Sequence, residues 1–190
     1  MAKLQSDDLI LDVRFSSFED EWVNYDIKFY WKDEIIVNDN ILKRISESKY
    51  WSRRDYGTFV ANDYEKDYLI VTIKKVLDTN KSECWEPMEP DAKIAIYPGI
   101  FFPFLETRYN FFKEMEEIRI EKEKHGKNPD DLFTVIAFID EYNFKNAGAY
   151  SGQGISLHLI VERKDLEKFV TDLEIEYDNF FKKPEEGVLK

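Results

Sequence analysis

At 190 residues, with 43% hydrophobic and 16% aromatic content and only 7 Gly and 6 Pro, the chain can bury a sizeable core and falls outside the disordered, low-complexity and fibrous classes. Its 39 acidic against 27 basic residues give a formal charge of −12, a sign that repels phosphate backbones and works against ordinary nucleic-acid binding. Cys84 is the single cysteine, so no internal disulfide can form.

The first residues, Met1 to Asp8, contain no apolar stretch of signal-peptide length. The longest nearly uncharged run, Ile94 to Leu105, is about half of the ~20 residues a membrane helix needs and is interrupted by Pro98 and Pro103. With the lone cysteine, these features give a cytoplasmic expectation. A single domain over 1–190 is expected, with flexible ends at 1–7 and 184–190.

In chain order, Leu9, Leu11, Val13 and Phe15 alternate with Asp12 and Arg14. Val23, Tyr25, Ile27, Phe29 and Trp31 alternate with Asn24, Asp26 and Lys28. Period two over such lengths predicts half-buried strands. Lys32-Asp33 predicts a turn into a strand over 34–37. Asn38, Asp39 and Asn40 offer caps for a short helix carrying Ile41, Leu42 and Ile45. Gly57 to Ala61 and Tyr68 to Leu77 read as further strands, the second with Leu69, Val71 and Ile73 on one face. Cys84 to Pro90 is expected to be irregular because Pro87 and Pro90 restrict the residues before them.

Lys93 to Tyr97 reads as a short strand closed by Pro98-Gly99. Leu105 to Lys124 predicts a long amphipathic helix with Phe104, Phe111, Met115 and Ile118 inward. Its tail, Ile118 to Glu121, also alternates, so helix plus strand stays open. The uninterrupted apolar run Leu132 to Ile139 suits a central strand. Ile155, Leu157, Leu159 and Val161 alternate as another. Finally Leu166, Phe169, Val170, Leu173, Tyr177, Phe180 and Phe181 follow helical spacing, with Asp165 at the start and Lys182-Lys183 at the end. The fold class expected is α+β: a mainly antiparallel sheet of six or more strands, packed by this C-terminal helix and one or two others.

Chemistry is sparse. His125 sits at an expected helix end, where a cationic His helps the dipole. His158 lies on the polar face of its strand, and Cys84 has no nearby cation cluster to stabilise a thiolate. Gly148 to Gly154 is glycine-rich, but it leads into a strand and not into the helix N-terminus a phosphate loop needs. It is a candidate partner loop through Tyr150. One Cys and two distant His make no standard zinc set, so no metal or other cofactor is expected.

Magnesium needs only carboxylates and water. Asp130, Asp140 and Glu162 with Lys164 are the candidate set. The order Pro129-Asp130 then Glu162-Arg163-Lys164 resembles the acid, acid-x-lysine pattern of restriction-type nucleases. That resemblance implies a Mg-dependent hydrolase or nuclease-like enzyme with clustered carboxylates as the alternative reading.

The favoured reading is a non-enzymatic, acidic protein-interaction module with a basic protein partner. Phe18, Glu19, Asp20, Glu21 and Trp22 combine acids with flanking aromatics, and Phe101 and Phe102 lie in an aromatic, proline-bounded stretch. Aromatic side chains of this kind bury much area at small entropic cost. In size, charge and want of a catalytic set the chain resembles bacterial toxin-immunity proteins, which implies an inhibitor-type binder.

Overall fold

The computed structural model describes residues 2–19, 22–42, 57–64, 67–88, 91–100, 131–146 and 151–181. They form two antiparallel sheets, one of five strands and one of four, with helices packed against them.

The first sheet is a meander: β1 (Ala2–Ser6), β2 (Leu9–Glu19), β3 (Trp22–Trp31) and β4 (Glu34–Ile35), with β5 (Phe59–Asp63) also on β3. Its turns follow from residue chemistry. Asp7 adopts φ 51° between β1 and β2, while Lys32 and Asp33 adopt 49° and 66° between β3 and β4. Two successive positive φ values suit the twist of a two-residue hairpin, and Asp tolerates them. A bulge between Phe15 and Ser17 shifts the β2–β3 register. Most residues expected to face inward do so: Leu11, Val13, Phe15, Val23, Tyr25, Ile27 and Phe29 are all at most 5% exposed, whereas Leu9 is only partly buried and Trp31, at the strand end, is 52% exposed. Ala2–Ser6, expected within a flexible end, is a strand with Ala2 and Leu4 in the core. The other expected flexible end, 184–190, lies outside the described residues.

The second sheet runs in order β6 (Glu83–Trp85), β7 (Ala92–Pro98), β8 (Leu132–Asp140) and β9 (Gly154–Glu162). As expected from its continuous apolar run, β8 is central. The irregular segment expected from Cys84 onward begins later than the prolines suggest. Cys84 and Trp85 still pair with Ala95 and Ile94 before Pro87 intervenes.

Two helices complete the core. One, α1 (Tyr68–Thr79), corrects a strand expectation. Its β-branched residues alternate, yet Leu69, Ile70, Ile73 and Val76 also fall at helical spacing, and these four are buried. Val71, which the strand reading put inward with Leu69 and Ile73, is 50% exposed. Asn80 ends the helix in the left-handed conformation, its N–H donating to the Val76 carbonyl at 2.8 Å. The other helix, α2 (Arg163–Phe181), packs on β1, β2, β8 and β9, while α1 packs on β6, β7 and α2.

Both sheets and both helices share one continuous apolar core. A buried polar staple joins them near β3, β5 and β6. The Trp85 indole donates to Asp63 Oδ2 at 3.0 Å, and its ring meets Tyr25 edge-on at 5.2 Å between centroids. The short helix expected after Asn38 is, within the described residues, only a turn. The Asn40 amide donates to Asn38 Oδ1 at 3.0 Å, and Leu42 bridges to Phe144. Ile45 and the segment 105–124 lie outside the described residues.

Candidate functional site

The two described candidate carboxylates, Asp140 and Glu162, are not gathered. Asp140 ends β8 opposite Gly154, and Glu162 ends β9 opposite Leu132. Eight residue steps at about 3.3 Å each put them roughly 26 Å apart, an order of magnitude beyond any shared ligand sphere. Asp130 lies outside the described residues. Among those described, no three His, Cys, Asp or Glu side chains come together as metal ligands.

Each described candidate has another occupation. Asp140 is 2% exposed, and its carboxylate accepts from the amides of Tyr142 at 2.8 Å, Gly152 at 2.7 Å and Ser151 at 3.3 Å. The loop amides that a bound anion would have used are thus taken by the protein's own carboxylate. Close approach is built in as well: a Cβ on Gly154 would lie 1.8 Å from the Ile139 carbonyl oxygen. Of the glycine-rich loop only Ser151 to Gly154 is described, and it leads into β9 as expected.

Glu162 holds Lys164 at 2.6 Å, and that bond raises the lysine's pKa. Lys164 projects into solvent with 73% of its side chain exposed, so it is held protonated. His158 places Nε2 3.1 Å from Ser156 Oγ, and burial lowers its pKa. Cys84 is exposed, yet desolvation and the neighbouring Glu86 push its thiol up, away from the thiolate a nucleophile needs.

The partner-binding candidates divide. Phe18 pairs with Val23, a core residue, so its ring lies on the helix-facing side of the first sheet. Trp22 precedes Val23 and points to the opposite face, edge-on to Tyr64 at 6.1 Å. Phe18 and Trp22 therefore do not share one surface. Glu19 lies in β2, while Asp20, Glu21, Phe101, Phe102 and Tyr150 lie outside the described residues.

What Phe18 joins instead is an aromatic cluster at the end of α2. Its ring centroid is 5.4 Å from Phe181, which lies tilted against Tyr177 at 4.7 Å and meets Phe180 edge-on at 5.0 Å. Phe15 lies beneath, 5.8 Å from both Tyr177 and Phe181. Phe180, expected to face inward, is 39% exposed, and Phe18 is 36% exposed. The helical stripe drifts outward after Leu173, the last fully buried residue of α2.

Over the same stretch, Asp172, Glu174, Glu176 and Asp178 supply four acids, and residues 172–181 include no base. Ile175 among them is 56% exposed. Asp172 pairs with Lys168 at 2.5 Å, and Glu174 pairs with Lys74 of α1. Phe180 keeps the helical spacing of the buried residues, so the sequence gives no warning of its exposure, whereas Ile175 falls on the opposite helix face.

Comparisons with known protein families, curated proteins and solved structures find no match. Among the described residues no helix is long and apolar enough to cross a membrane.

Proposed function

We propose that the chain is a non-enzymatic protein-interaction module that binds a basic protein partner, as an inhibitor of the immunity-protein kind does. The observation that supports it is the aromatic end of α2. Phe18 and Phe180 are exposed there, and residues 172–181 of the helix carry four acids. Such apolar anchors supply buried area at an interface, and the surrounding acids and overall charge of −12 steer a basic partner and fix its approach.

The test is retention of a partner from the source cell's extract, followed by salt titration and by the double substitution Phe18→Ala with Phe180→Ala. Expected is a basic partner whose retention falls with salt and drops at least about tenfold in the double variant, the loss of one anchor's worth of binding energy. A partner indifferent to both salt and the substitutions would exclude this surface and its charge as the basis of recognition.

A further inference from the structure

An aromatic ring is not a neutral apolar surface. Its faces carry negative and its edge positive partial charge, so a cation within about 6 Å of the centroid is attracted to the face. At the end of α2, Phe18 and Phe180 both pack against Phe181, their planes 78° and 70° from its own and their centroids 5.4 Å and 5.0 Å away. These two flanking rings keep 36% and 39% of their surface in solvent. Phe15 supports the group from the core side, 6.3 Å from Phe180 and 5.8 Å from Phe181.

The chain makes such contacts within itself. The Arg163 guanidinium carbon lies 5.0 Å from the Phe133 ring centre, and Lys32 Nζ lies 5.2 Å from that of Trp31.

Charge gives the α2 cluster the same sign of preference. Glu176 stands four residues before Phe180, and Asp178 three before Phe181, spacings that share a side of the helix. Their field adds to that of a chain at −12. Rings and field therefore both favour a cation and disfavour an anion.

Proteins offer two permanent cations, and rings distinguish them. The lysine ammonium is compact and strongly hydrated, so laying it on a ring strips much of its water. The arginine guanidinium is planar and weakly hydrated; it stacks flat while its N–H groups stay free to reach water or a carboxylate. We infer that the group this cluster takes from the basic partner is an arginine side chain, laid against Phe18 or Phe180. This rests on the reading of the same surface as a partner site, and it adds the chemistry of the residue recognised.

Calorimetric titration of the full chain at low salt with hexa-arginine and hexa-lysine, peptides of equal charge, tests it. The parent is compared with the double variant Phe18→Leu with Phe180→Leu, checked for native circular dichroism. Leucine keeps an apolar cover over the core and removes the ring faces. Expected is binding of both peptides by the parent, with arginine tighter by roughly threefold or more, the yield of one or two exposed ring contacts. The double variant should bind the two equally. Equal affinities in the parent overturn the inference, as does an arginine preference that the double variant keeps. Either result leaves the basic-partner reading standing, whereas binding of neither peptide removes that reading as well. Proton NMR of the peptide on the parent gives an arm free of substitutions. Stacking moves the arginine δ-methylene signal upfield through the ring current, and a signal unmoved at saturation also overturns the inference.

Discussion

Asp140 in the second sheet and Asp12 in the first are both carboxylates shut away from water, and the protein treats them differently. Asp140, 2% exposed, collects amides from Tyr142, Ser151 and Gly152. Asp12, 4% exposed, has Lys3 3.9 Å from one oxygen, and its other oxygen has no hydrogen-bond partner among the described residues. Backbone amides replace water around the first charge; little replaces it around the second. Burial accordingly pushes the Asp12 carboxyl up, against the pull of Lys3, Arg14 and Lys28. The contrast teaches that a buried acid identifies nothing until its donors are counted. Asp140 looks like a catalytic candidate in sequence and acts as a loop anchor in the fold.

The contrast breaks most visibly at Asp140. Replacing it with Ala leaves the amides of Tyr142, Ser151 and Gly152 without their acceptor. At roughly 1–3 kcal/mol for a buried polar group left unmet, partly relieved by solvent at the loop, about 3 kcal/mol of stability should be lost. Asp140→Asn keeps one acceptor oxygen and should lose less. Chemical denaturation reads both; an unchanged midpoint for the Ala variant would rule out the anchor role.

At Asp12 the expected sign is opposite. Its folded pKa lies above the unfolded value of 3.8, so the folded state binds the proton more tightly. The group is therefore a cost above its folded pKa, and that cost disappears as pH falls toward the unfolded value. Asp12→Asn should raise neutral-pH stability by on the order of 1 kcal/mol, the expense of a buried, under-partnered charge. The gain should vanish near pH 3.8. A variant less stable than the parent at neutral pH would mean that the ion pair with Lys3 outweighs desolvation.

How far the fold was legible follows from the same local rules. Strands β2, β3 and β9 and helix α2 were readable because one face of each is apolar at a consistent period, and β8 because its apolar run is continuous. Tyr68 to Leu77 was misread because its Leu, Ile and Val residues satisfy both periods, and the β-branched content tipped the choice toward a strand. Only packing decides such a case, through Val71 lying outside while Ile70 lies inside. The candidate sites were less legible than the fold, since residue types do not reveal which ends of a hairpin they occupy. Asp140 and Glu162 are both strand-terminal acids; the antiparallel register alone sends them to opposite ends. Phe18 and Trp22 likewise read as neighbours until strand pairing turned them to opposite faces.

The smallest effect is expected at Lys164. Its pair with Glu162 sits in solvent, where screening and side-chain entropy consume most of the attraction. Lys164→Ala should therefore leave the chemical-denaturation midpoint essentially unchanged. A companion measurement makes this near-silence informative. A divalent cation that bound the native state through these carboxylates would raise the thermal midpoint. With Asp140 closed around backbone amides and roughly 26 Å from Glu162 along the hairpin, millimolar Mg²⁺ or Mn²⁺ should leave the midpoint where it is. A shift that Glu162→Gln abolishes would show a metal held at this end of β9. In that event Glu162, and not the buried Asp140, would be the acid that matters.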